Sequence, residues 1–162
     1  MTAAADDAIS GSDAVFFGFE SDFVASMRCI PMAARLRLDL SGVKLKLNEW
    51  AKLGLPARAE AATLPCAGPA DIAAYKEKVS ARVAEACGAP PSLLPELPAR
   101  EWDDGQNLPA QVMTQAEISG RHITQDAWAG LSRLQRFALI KLSRPGHENR
   151  NFLPACDEFG LS

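Results

Sequence analysis

Residues 124–146 read TQDAWAGLSRLQRFALIKLSRPG, and their apolar spacing decides the fold class. Set about 100° apart, as a helix sets them, Trp128, Leu131, Leu134, Ala138, Leu139 and Leu142 share one arc. Thr124 is placed as an N-cap, and Pro145-Gly146 stops the run. A long helix over 125–143 is expected, with this arc as its core face. The other arc carries Arg133, Arg136, Lys141 and Arg144, but also Phe137 and Ile140. Two readings follow. Either another element covers Phe137 and Ile140 and the cations reach past its rim on their alkyl stems, or Arg133, Arg136, Phe137, Ile140 and Lys141 form a basic partner surface with an aromatic centre, as interaction hot spots do.

The same period recurs along the chain. Phe19, Phe23, Met27 and Ile30 give a helix over roughly 16–30, with Ser21 or Asp22 at its start. Pro31 restarts it, and Met32, Leu36 and Leu40 carry the stripe to Ser41-Gly42. VKLKL at 43–47 alternates and suggests a short extended segment. Asn48-Glu49-Trp50 reads as a new helix start, with Gly54 and Pro56 ending that piece. Residues 69–87 form the cleanest helix. Pro69 and Asp71 lie in its first turn, Gly88 follows its end, and Ile72, Tyr75, Val79, Val83 and Ala86 form one stripe. Pro90, Pro91, Pro95 and Pro98 make 89–105 a loop, and a short helix runs from about Pro109 to Ile118. The expected architecture is mainly α: a flexible tail over 1–14, then a single helical domain of about five or six helices over 15–162.

Composition fits this. The chain has 162 residues, 48% of them hydrophobic and 23% charged, enough apolar material for one sizeable core. A net charge of −3 makes it a poor nucleic-acid binder as a whole. Charge is uneven, however. Residues 96–117 carry Glu96, Glu101, Asp103, Asp104 and Glu117 against Arg100, whereas 121–150 are rich in arginine, so the two segments can pair with each other. No run approaches the ~18 apolar residues of a membrane span. MTAAADDAISGSD lacks the apolar region of a signal peptide. A cytoplasmic protein is expected, its cysteines mostly buried small hydrophobes.

The segment after the long helix, RPGHENRNFLPA at 144–155, is the candidate binding loop: Arg144, His147, Glu148, Asn149, Arg150 and Asn151 lie within eight positions. The two arginines offer forked donors to an anion. The alternative is structural: a polar turn that satisfies its own backbone while Phe152, Leu153 and Phe159 reinsert. Catalytic motifs are missing. His147-Glu148 lacks the second histidine of a zinc protease helix, and no nucleophile elbow or Gly-rich phosphate loop occurs. Cys29, Cys66, Cys87 and Cys156 are widely spaced, so no metal site and no cofactor is expected.

Two long stretches, FGFESDFVASMRCIPM at 17–32 and LQRFALIKLSRPGHENRNFLPACDEFGL at 134–161, together with the WDDG-to-ITQDAW middle at 102–128, resemble the nitrate reductase-associated protein family of small bacterial proteins. The resemblance spans roughly 16–161. It implies a non-catalytic accessory protein whose partner is the molybdopterin-dependent assimilatory nitrate reductase, supporting its maturation or activity. It supplies no catalytic residues. A small-molecule or oxyanion-binding protein using the 144–151 loop is the alternative.

Overall fold

The computed structural model describes residues 16–20, 28–145 and 147–161, with the side chains of His147 and Glu148 left aside. The expected tail over 1–14 and residues 21–27 of the expected 16–30 helix lie outside them. The protein is mainly α. Among the described residues there are eight α-helices and one two-stranded sheet. They fall into two compact units, Met1–Ala99 and Arg100–Ser162, divided inside the proline-rich segment.

The first unit holds α1 (Met32–Ser41), β1 (Val43–Lys44), α2 (Leu47–Lys52), α3 (Leu55–Thr63), α4 (Pro69–Cys87) and β2 (Ser92–Leu93). Helix α1 follows Pro31, which offers no capping side chain. Glu20, from the short 3-10 turn Gly18–Glu20, takes that role. Its carboxylate accepts from the amides of Met32 at 2.7 Å and Phe17 at 3.0 Å, which satisfies two donors that would otherwise lie buried and unpaired. At the other end Gly42 adopts φ 73°, and a Cβ there would stand 2.9 Å from Leu97, so both conformation and space call for glycine.

Helix α1 packs against α3 and α4. Arg37 is buried between them as a cation satisfied by carbonyls, its Nε donating to Leu64 at 2.8 Å and Nη1 to Ala33 at 3.0 Å. Tyr75 of α4 donates its hydroxyl to the Ala61 carbonyl of α3 at 2.6 Å, and burial raises its phenol above the ordinary range. Tyr75, Val79 and Val83 are the buried part of the α4 stripe.

Helix α3 was not expected. Pro56 occupies its first turn, where a missing amide hydrogen costs nothing, so this proline starts a helix instead of ending one. The extended segment is shorter than 43–47. Only Val43 and Lys44 pair, antiparallel with Leu93 and Ser92, before Leu47 opens α2.

The second unit holds the 3-10 turn Glu101–Asp103, α5 (Ala110–Ile118), α6 (Gln125–Ala129), α7 (Arg133–Leu142), the 3-10 turn His147–Asn151 and α8 (Phe152–Glu158). The single helix expected over 125–143 is therefore two. Ser132 restarts the chain with a reciprocal capping box: its hydroxyl accepts from Gln135 N at 3.1 Å, and the Gln135 side chain accepts from Ser132 N at 2.9 Å. Helix α7 is the centre of this unit, in contact with 101–103, α5, 147–151 and α8. In α8, Phe152, Ala155 and Cys156 sit at helical spacing and are buried, whereas Leu153, expected to reinsert, faces outward at 39% exposure. No helix among the described residues is long and apolar enough to cross a membrane.

Candidate functional site

The candidate residues all belong to the second unit, five of them on α7 and six in the segment that follows it. Phe137 and Ile140 are buried, at 0% and 2% exposure. Trp102, from the WDDG stretch, meets the Phe137 ring edge to face with centroids 5.0 Å apart, and Lys141 Nζ lies 5.2 Å from that ring's centre. The unusual aromatic among the cations thus has a cover, and that cover comes from within the acidic segment 96–117.

The cations themselves are engaged. Arg136 donates from Nε to the Trp102 carbonyl at 2.7 Å, and from Nη1 to Leu131 at 2.7 Å, Trp128 at 3.4 Å and Ala129 at 3.5 Å. The last three carbonyls end α6 and begin the approach to α7, so one guanidinium satisfies the break between the two helices. Partial burial lowers its pKa, while Asp103 and Asp104 act in the opposite sense. Arg133 Nη1 stands 3.6 Å from Asp103 Oδ1, and Arg100 lies 3.8 Å from the other oxygen of that carboxylate. The acidic and basic segments do meet here.

Asp104 is used locally. It accepts from Gln106 N at 2.9 Å and Asn107 Nδ2 at 2.8 Å, and the Asn107 contact leads in holding its carboxyl below the usual range. Trp128 Nε1 donates to the Asp104 carbonyl at 2.9 Å. Gly105 packs so that a Cβ would touch Arg136 Nη1 at 3.5 Å and the Ala129 backbone at 3.6 Å. WDDG is therefore the counterpart of the α6–α7 break. Sequence reasoning had noted its acidity but not its role.

In the candidate loop, Asn149 carries the structure. Its Nδ2 donates to the Leu142 carbonyl at 3.0 Å and the Arg144 carbonyl at 3.3 Å, tying off the C-terminal end of α7. Asn151 directly precedes α8 and makes no side-chain cap bond. Arg144 and Arg150 are exposed, and among the described residues neither guanidinium meets a carboxylate or carbonyl. His147 and Glu148 open the 3-10 turn.

Two of the four cysteines, Cys66 and Cys156, are buried. Cys29 is exposed and Cys87 intermediate, so burial accounts for half of them. Among the described residues no three His, Cys, Asp or Glu side chains cluster as a metal site would require. In the first unit an open depression lies over Leu53, Pro56, Ala57 and Ala86. Its charges pair with each other, Arg82 with Glu60 at 3.0 Å and with Glu85 at 3.8 Å.

The model of the conserved nitrate reductase-associated protein family matches residues 16–159, which include every candidate residue above. The chain belongs to that family. No curated protein and no solved structure matches it. The family's description associates it with nitrate reductase. In terms of this fold, family membership takes in the Glu20 cap of α1, the Trp102–Phe137–Arg136 assembly and the Asn149-tied turn alike.

Proposed function

We propose that this protein is a non-catalytic cytoplasmic accessory protein that binds a molybdopterin-dependent assimilatory nitrate reductase and supports its maturation or activity. Family membership over 16–159 carries this reading. The chemistry of the second unit agrees in kind. The side chains that look reactive in sequence, Arg133, Arg136 and Asn149, are engaged in holding the second unit together. What the fold offers to other molecules is surface.

The test has two readouts. Purified chain mixed with the reductase should elute with it as a complex on size exclusion. Cells lacking the chain should yield reductase with lower specific activity or lower molybdopterin content. A chain that forms no complex and whose loss changes neither quantity would reject the reading.

A further inference from the structure

The arginine-rich segment 121–150 sorts into cations the fold uses and cations it does not. Arg121 pairs with Asp157 and also donates to the Leu161 carbonyl at 3.4 Å. Arg133 faces Asp103, Arg136 holds four carbonyls, and Lys141 lies against Phe137. Among the described residues, the arginines of the tied turn are left over. Arg144 and Arg150 are exposed, and among the described residues their guanidiniums have no partner.

Asn149 bonds the Leu142 and Arg144 carbonyls, so the chain closes on itself and the residue after Asn149 returns beside the start of the turn. The two arginines therefore leave from backbone positions that Asn149 draws together, and less freedom is lost when both engage a partner. Immediately beyond, Leu153 is 39% exposed on a helix whose Phe152, Ala155 and Cys156 are buried. Across 144–154 the carboxylate of Glu148 is the only negative group against the two arginines.

We propose that Arg144, Arg150 and Leu153 form the surface on which this protein docks a carboxylate-bearing face of its partner enzyme, an inference that rests on the accessory reading above. Guanidinium forks match carboxylates bidentately, and arginine beside an exposed apolar side chain is the composition of a protein interface. A free small anion is the weaker match, since such ligands are held in concave sites, and these guanidiniums stand in solvent. This moves the partner surface from Arg133, Arg136, Phe137, Ile140 and Lys141, which the fold uses itself, to the turn that follows them.

The experiment is a binding measurement between the full chain and nitrate reductase at low and physiological salt. It compares wild type, Arg144→Glu/Arg150→Glu and the control Lys76→Glu, an exposed cation on α4. Thermal melts confirm that each is folded. Where reversal disturbs folding, Arg144→Gln/Arg150→Gln carries the same expectation at smaller size. Wild-type affinity should fall with salt. The double reversal should weaken binding roughly 10- to 100-fold, and the control should stay within about twofold. Equal binding by wild type and double reversal overturns the surface and leaves the accessory reading standing. No binding by wild type overturns both. Stoichiometric uptake of nitrate or phosphate that the double reversal abolishes, with reductase binding unchanged, assigns the turn to a free anion and overturns the docking surface.

Discussion

The Nε of Arg136 donates to the carbonyl oxygen of Trp102 at 2.7 Å, across 34 residues of chain. This bond joins the WDDG stretch to helix α7, and three further carbonyls share the same guanidinium. Removing Arg136 would leave those carbonyls to find water in a partly buried place. Arg136→Ala is expected to destabilise the second unit by about 2–3 kcal/mol. Arg136→Lys should recover less than half of that, because an ammonium cannot reproduce the planar fork. Denaturant melts check both, and full recovery by lysine would show that only the charge matters.

Phe137 bears on the first reading of α7. Its ring is wholly buried and is met edge to face by Trp102. Phe137→Ala is expected to cost about 3–5 kcal/mol. Phe137→Leu keeps most of the apolar volume and should cost less. A melt of Phe137→Ala within about 0.5 kcal/mol of wild type, as surface positions behave, would contradict the burial.

Asn149 ties the turn through two carbonyls. Asn149→Ala is expected to cost about 1 kcal/mol of stability and to speed hydrogen exchange in the last turn of α7. If Arg144 and Arg150 dock a partner from positions that Asn149 draws together, this variant should also weaken reductase binding while leaving both arginines in place. Unchanged exchange would show that the turn is held by something else.

What the sequence made legible here follows from which signals are local. The core face of 125–143 was readable because Trp128, Leu131 and Leu134 keep the helical period straight through the break at 130–132. The break was hidden for the same reason: the apolar phase continues although the backbone does not. Its mark was the Ser132-to-Gln135 spacing of a capping box, a polar signal beneath a stronger apolar one. Pro56 misled because proline ends one helix and starts another with equal ease, and only its position in the first turn tells them apart. That the arginine-rich segment could pair with the acidic one was legible, but the particular partners of Arg133 and Arg136 were not. They depend on which distant carbonyl or carboxylate the fold brings back, and here that is Trp102 and Asp103.

The cysteines give a last, independent check on the second unit. Cys156 lies at 0% exposure on α8, and burial pushes its thiol from 9.0 up to about 11, with Arg121 opposing the shift and Asp157 adding to it. A thiol raised on folding is held protonated by the folded state. Its contribution to stability is therefore complete below pH 9 and is lost as pH rises towards 11. Cys156→Ala should flatten the alkaline limb of the stability curve over that window, on top of a small cavity cost at all pH values. At pH 8 a thiol reagent should modify exposed Cys29 quickly, and Cys156 only as fast as the fold opens. Prompt labelling of Cys156 under native conditions, or an alkaline limb unchanged by Cys156→Ala, would show that α8 does not bury this thiol as described.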